Sequence, residues 1–366
     1  MAKEYEQLVA ELKNGVIREL AEECGKSKKE AKEITRNIRL PSGETSMKFD
    51  CDGDTVQITM SMEGVGYKRP PQRGKKEPSF INMQADDAAF EGWALALHVH
   101  LNKNIQLELD TNGEVVPAWD REKPHYNRFL YRLKKFDTLY SWFSIGEKLG
   151  KVVEDFGRYL FESGVTFYNN IAGSTAGIRG GRKKPSEAWV EATFEDNSDL
   201  LRAYSKNLFR QLPVGLFAVA GKEKIGVFTG RKSAIDLWGL NDDASGTQLA
   251  IYELKLQNKQ VGIISELMFY ANYTYDMFVG KSFEHSQLPE RNEDFRGYEQ
   301  LANANITGIR AFMLTDKLHP LITPNVLKEM NRRSIRYNNA LTYDALKYEW
   351  EENNGNIVIK GVESWF

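Results

Sequence analysis

The second half of the chain alternates short apolar runs with clusters of turn-forming residues. Residues 216–220, 226–239 and 249–256 are apolar in large part, and Asn241-Asp242-Asp243-Ala244-Ser245-Gly246 separates the last two. Short apolar runs bounded by Gly, Asn, Asp and Ser predict strands, and a polar break of this length predicts a β-hairpin. Residues 186–210 predict a helix, with Leu200, Leu201, Tyr204, Leu208 and Phe209 at helical spacing and Pro213-Val214-Gly215 as its stop. Residues 261–279 predict a second helix. Residues 309–314 predict a further strand, closed by Thr315-Asp316.

The first half reads as a separate α+β module. Residues 3–38 predict one or two charged amphipathic helices, broken near Gly25-Lys26-Ser27, with Ser27 and Glu30 in capping-box spacing. Residues 55–62 alternate as a strand. Residues 94–101 and 105–109 predict a hairpin across Asn102-Lys103-Asn104, which would set His98 and His100 two apart on a strand. Residues 125–170 predict mostly helix. Their aromatic residues (Tyr126, Phe129, Tyr131, Phe136, Tyr140, Trp142, Phe143) suit a packing core at that spacing. The expected division is an N-terminal module over 1–172, a basic Gly-rich linker over 173–185 and a second domain over 186–366.

Chemistry enters at Ile235-Asp236-Leu237 and Tyr252-Glu253-Leu254-Lys255. Side chains alternate across a strand, so Glu253 and Lys255 face one side, and a hairpin would bring Asp236 beside Glu253. The flanks, Ala234-Ile235, Leu237-Trp238 and Ala250-Ile251-Tyr252, are those of buried strands. Charged groups on such strands need partners or a metal. Two carboxylates and an ammonium at one point are the minimum set for metal-assisted phosphodiester hydrolysis, with hard oxygen ligands suited to Mg²⁺ or Mn²⁺.

At these residues the chain resembles the PD-(D/E)xK nuclease superfamily, over roughly residues 186–320. That family runs helix, three-strand meander, helix, strand, and its acids stand on the second and third strands of the meander. The fold implied is a restriction endonuclease-like core, an α/β (α+β overall) domain with a central mixed sheet flanked by helices. The resemblance implies Asp236, Glu253 and Lys255 as catalytic residues. Asp236, Glu253 and the Leu254 carbonyl would be the metal ligands, with Mg²⁺ (or Mn²⁺) as cofactor. Ile235 stands where the family often has Pro. RecB-type members carry Gln-x-x-x-Tyr on the following helix, where this chain has Glu266 and Tyr270. A further acid often comes from the first helix. Glu187, Glu191 and Glu195 are candidates, and Glu195, nearest the helix middle, is the expected one. The implied activity is a DNA endonuclease in bacterial restriction or anti-phage defence. A non-catalytic binding module on the same fold and an RNA-directed nuclease remain the alternatives.

Composition changes this picture little. The 366 residues suggest two domains, and 41% hydrophobic with 27% charged residues is ordinary for a globular chain. No apolar run reaches membrane-spanning length, and the start Met-Ala-Lys-Glu-Tyr-Glu lacks the apolar segment of a secretory signal. Cys24 and Cys51 are too few for a disulfide framework and fit free thiols in the cytoplasm. The net charge of −2 leaves nucleic-acid binding to local basic runs. One is Tyr67-Lys68-Arg69-Pro70-Pro71-Gln72-Arg73-Gly74-Lys75-Lys76. The other carries Arg179, Arg182, Lys183 and Lys184 and is the expected DNA contact. The expected partner is nucleic acid, DNA before RNA, with no membrane; a homodimer is compatible with the sequence. Of the other histidines, His285 lies in the nuclease-like region and His319 follows its last strand.

Overall fold

The computed structural model describes residues 2–42, 47–70, 79–169, 185–220, 223–228, 233–243, 246–257, 259–284, 297–332, 337, 340–353 and 355–366. The chain is mixed α and β and forms two compact units. The first comprises residues 1–164 with 259–266 and 319–333; the second comprises 165–258, 267–318 and 334–366. Neither unit is one continuous stretch. Among the described residues no helix is long and apolar enough to cross a membrane, and Cys24 and Cys51 are free thiols.

The first unit begins with α1 (Ala2–Glu22) and α2 (Lys28–Thr35). The expected capping box is present at α2: Ser27 Oγ accepts the Glu30 N–H and Glu30 Oε2 accepts the Ser27 N–H. Strands β1 (Lys48–Asp52) and β2 (Thr55–Ser61) follow, then α3 (Phe90–Leu101), β3 (Asn104–Asp110), α4 (Pro124–Leu139), β4 (Phe143–Ile145) and α5 (Glu147–Phe161). The sheet order is β1-β2-β3-β4, with the last two pairings parallel. Val56, Ile58 and Met60 on β2 and Ile105 and Leu107 on β3 are buried, the period-two pattern of a one-sided sheet.

The hairpin expected at 94–109 is corrected to a helix followed by a strand. Ala94-Leu95-Ala96-Leu97 is buried on every side, so its apparent alternation was an all-apolar run. Ala and Leu favour helix, and the helix that begins at Phe90 is twelve residues long. Asn102 is not a hairpin turn but a left-handed helix cap, at φ 55° with its N–H on the His98 carbonyl. The aromatic residues of α4 do pack as core: Phe90 meets Phe129 and Phe136, and Phe136 meets Phe143.

In the second unit β5 (Phe167–Asn169) precedes α6 (Glu187–Asp196), β6 (Phe209–Pro213), β7 (Leu216–Ala220), β8 (Glu223–Phe228), β9 (Ala234–Asp243) and β10 (Gly246–Lys255). Helix α7 (Ile263–Thr274) begins within the first unit's residues and runs on into the second as a π-helical turn to Val279. Then come α8 (Tyr298–Asn303), β11 (Ile306–Thr315), α9 (Pro324–Arg332, part of the first unit), β12 (Leu341–Asn353) and β13 (Asn356–Ser364). The large sheet runs β13-β12-β11-β10-β9-β6, with β10, β11 and β12 parallel and the other pairings antiparallel. β5, β7 and β8 form a separate antiparallel sheet.

Two expectations change here. The helix expected over 186–210 stops at Asp196, and Phe209 belongs to a strand. The strand before the Asp strand in the large sheet is therefore β6, not residues 216–220. The stretch 226–239 is also divided, between β8 and β9. Central β10 is buried continuously from Leu249 to Lys255.

Candidate active site

β9 and β10 pair antiparallel from Asp243/Gly246 to Leu237/Tyr252. One residue further, that register sets Asp236 opposite Glu253. The ladder ends there, and Asp236 Oδ2 accepts the Leu254 N–H at 2.9 Å in its place. On the other flank β6 pairs Arg210 with Leu237 and Leu212 with Ile235, which sets Gln211 opposite Asp236. Leu237, Tyr252 and Leu254 join Val190 and Phe194 of α6 in one core cluster. By strand alternation Asp236, Glu253 and Lys255 then project from the other face of the sheet.

Glu253 and Lys255 form a buried ion pair, with Lys255 Nζ donating to Glu253 Oε1; they are 2% and 4% exposed. Asp236 is half-buried. Tyr348 Oη donates to the Lys255 carbonyl at 3.0 Å, fixing the strand end. The hairpin placement of the three residues expected from their spacing is thus present.

The donor set fits a small divalent cation in kind. Two carboxylates and a main-chain carbonyl are hard oxygen ligands, and Mg²⁺ typically takes one or two carboxylates and keeps water for the rest. Among the described residues no group of three or more His, Cys, Asp or Glu side chains is gathered closely enough to hold a metal by itself.

The acids of α6 sort differently from expectation. Glu195 is held by Arg210, whose Nε donates to its Oε2 at 2.7 Å. Glu187 Oε1 accepts the Leu256 N–H at 3.3 Å, against the end of β10. Glu191 is buried and accepts from Gln211 Nε2 at 2.8 Å. Burial raises its carboxyl above the ordinary range; Gln211, Arg210 and Lys255 pull it down, and Glu187 pushes it up. Glu191 thus lies within reach of the Lys255 charge, while Glu195 is paired with Arg210. Gln211 gave no signal in the sequence. It stands out only in three dimensions, as a non-glycine residue at φ 59° within a strand.

Glu266 and Tyr270 are both buried and share a face of α7; Glu266 belongs to the first unit and Tyr270 to the second. His98 and His100 are corrected to a helix, where a spacing of two separates their directions. His98 stacks on Trp142 at 4.1 Å, and His100 is buried with Nδ1 3.4 Å from Glu19 Oε2. His319 is part of the first unit's packing, edge-on to Trp93, and burial pushes it down to about 4. Arg179, Arg182, Lys183, Lys184 and His285 lie outside the described residues. Comparison with known protein families, with characterised proteins and with solved structures gives no match to this chain.

Proposed function

We propose that the protein is a metal-dependent nuclease that hydrolyses phosphodiester bonds of DNA, on a restriction endonuclease-like core. One observation carries the reading. The β9–β10 ladder ends at Leu237/Tyr252, one residue short of Asp236 and Glu253; there Asp236 Oδ2 accepts the Leu254 N–H, and Lys255 pairs with Glu253. With β7 and β8 set apart in the sheet of β5, and α8 inserted before β11, the order α6, β6, β9, β10, α7, β11 supports it, because it keeps the helix, three antiparallel strands, helix and parallel strand that the resemblance implies.

Asp236, Glu253 and the Leu254 carbonyl would hold the cation, which when bound supplies Lewis acidity toward the phosphate and a more acidic water. Lys255 would orient the attacking water or a non-bridging phosphate oxygen and offset charge that develops in the transition state. Glu253, buried against Lys255, keeps that ammonium aimed. Tyr348 keeps the strand end from shifting.

The test is incubation of the full chain with plasmid, linear DNA and RNA in Mg²⁺, Mn²⁺ or excess EDTA. Cleavage of DNA with either cation, and none in EDTA or with Lys255→Ala, is the expected result. Equal cleavage in EDTA would remove the metal mechanism. Tight binding without cleavage under any condition would leave the non-catalytic module, and cleavage confined to RNA would change the substrate.

A further inference from the structure

The basic segment that starts at Tyr67 is described as far as Pro70, and this part is built against the start of α4. Gly66 makes the close approach feasible. Its φ is +76°, and a Cβ there would lie 2.7 Å from the His125 Cβ, so the turn closes on α4 only with glycine. Beyond it the Tyr67 and Tyr126 rings meet edge to face at 5.2 Å. Lys123 Nζ stands 4.7 Å from the Tyr67 ring centre and donates to the Tyr67 carbonyl at 3.4 Å.

A second set of groups runs alongside. The Arg69 guanidinium lies 4.9 Å from the Phe80 ring centre, Phe80 stacks on His125 at 4.5 Å, and Arg128 Nη2 is 3.4 Å from His125 Nδ1. Cation, ring, ring and cation follow one another. Lys68 and Arg69 are exposed, Lys123 and His125 half-buried, and Arg128 buried. Burial pushes the His125 imidazole down to about 4, and the charges of Arg128 and Arg69 add to the shift. At neutral pH the ring is uncharged and serves as a flat spacer between two guanidinium groups.

Lys68, Arg69 and Lys123 thus bring three cations to one surface, which suits an anionic ligand. Each cation–π contact is worth about 0.5–1 kcal/mol at such sites and holds the cation in place beforehand. Less side-chain freedom is then lost on binding. Guanidinium groups held flat also suit the two-point recognition of phosphate.

We propose that this surface docks the phosphodiester backbone of a nucleic acid, with Lys68, Arg69 and Lys123 meeting phosphates while His125 and Arg128 keep the array in position. The choice of nucleic acid over other polyanions rests on the reading of Asp236, Glu253 and Lys255 as a phosphodiesterase site. A lipid surface fits less well. None of the exposed large apolar side chains among the described residues belongs to this surface, and insertion at a membrane calls for them.

The test is binding of the full chain to fluorescent single-stranded and duplex DNA in EDTA over a salt series. The triple variant Lys68→Ala/Arg69→Ala/Lys123→Ala is compared with Lys28→Ala/Lys29→Ala/Lys32→Ala, which removes three exposed cations from α2. The first should bind duplex at least about tenfold more weakly. Its slope of log affinity against log salt should fall by about 2 to 3, at roughly 0.9 for each phosphate left without its cation. The α2 variant should change neither as much. Equal effects of the two variants, or no DNA binding by the unaltered chain, overturn the proposal. So does tighter binding to phosphatidylserine vesicles than to DNA that the first variant also loses. Cleavage is read separately: intact binding here without turnover removes the nuclease reading and leaves the docking surface standing.

Discussion

Gln211 donates from its side chain to Glu191 Oε2 at 2.8 Å, from a backbone held at φ 59°. A non-glycine residue in that region costs on the order of 1–3 kcal/mol, and surrounding structure must impose it. What it secures is a donor for a buried carboxylate.

Replacement of Gln211 therefore tests a strained donor. Gln211→Leu removes the hydrogen bond and keeps the strain, and should cost about 1–3 kcal/mol by leaving the acid without that donor. Gln211→Gly should cost less, since relief of the backbone offsets part of the loss. The pH dependence has a fixed sign. Glu191 titrates above its ordinary value in the fold, so its contribution is fully present below that value and is lost as pH rises through the folded pKa. The Leu variant lifts that pKa further, so its deficit should be larger at pH 7 than near pH 4. Urea unfolding at the two pH values measures this, and a deficit that grows toward acid would contradict it.

The Glu253–Lys255 pair should behave as a buried unit. Lys255→Met strands a buried carboxylate and should cost about 3–5 kcal/mol without divalent ions. Adding Glu253→Gln to it should restore a large part of that loss, because the uncompensated charge goes too. A double variant as unstable as the sum of the singles would mean the two side chains are not coupled.

Binding of a cation should appear without any substrate. Millimolar Mg²⁺ or Mn²⁺ should raise the melting temperature of the full chain. At one hundred times the dissociation constant the gain is about 2.7 kcal/mol. Asp236→Asn should remove most of the rise. A shift that survives in this variant would place the ion elsewhere.

Gly239 should tolerate no side chain. It lies three residues from Asp236 on β9, and a Cβ there would come 1.9 Å from the Asn207 carbonyl oxygen. Backbone has to move, so Gly239→Ala should destabilise by about 2 kcal/mol or more. Thermal melting with cleavage rate is the check, and a wild-type melt would mean that β9 and the 205–207 turn pack more loosely than this distance implies.

The strands around the site were legible because each is a short apolar run cut off by polar turn formers. The polar break between residues 240 and 247 announced the β9–β10 pairing directly. β6 was hidden because Leu208 and Phe209 prolong the helical spacing of Leu200, Leu201 and Tyr204; the breakers Asn197, Ser198, Ser205 and Asn207 carried the better signal. α3 was hidden because an Ala-Leu repeat satisfies both periods when every side is buried. The ranking of Glu187, Glu191 and Glu195 lay beyond reach. Acids four apart share a helix face, and the choice among them falls to Arg210 and Gln211 on a strand the sequence did not reveal.

Glu19, on the first helix, accepts from the Thr323 hydroxyl and the Asn325 N–H, and so caps α9 across 304 residues of chain. A ribosome must release that far segment before the first unit can close. The second unit waits too, because β12 and β13 are drawn from residues 341–364. Neither is therefore complete until residues beyond 319 have emerged. A chain cut short before residue 319 leaves each unit missing a structural element, so premature termination should yield no free-standing half that carries the Asp236 site on its own.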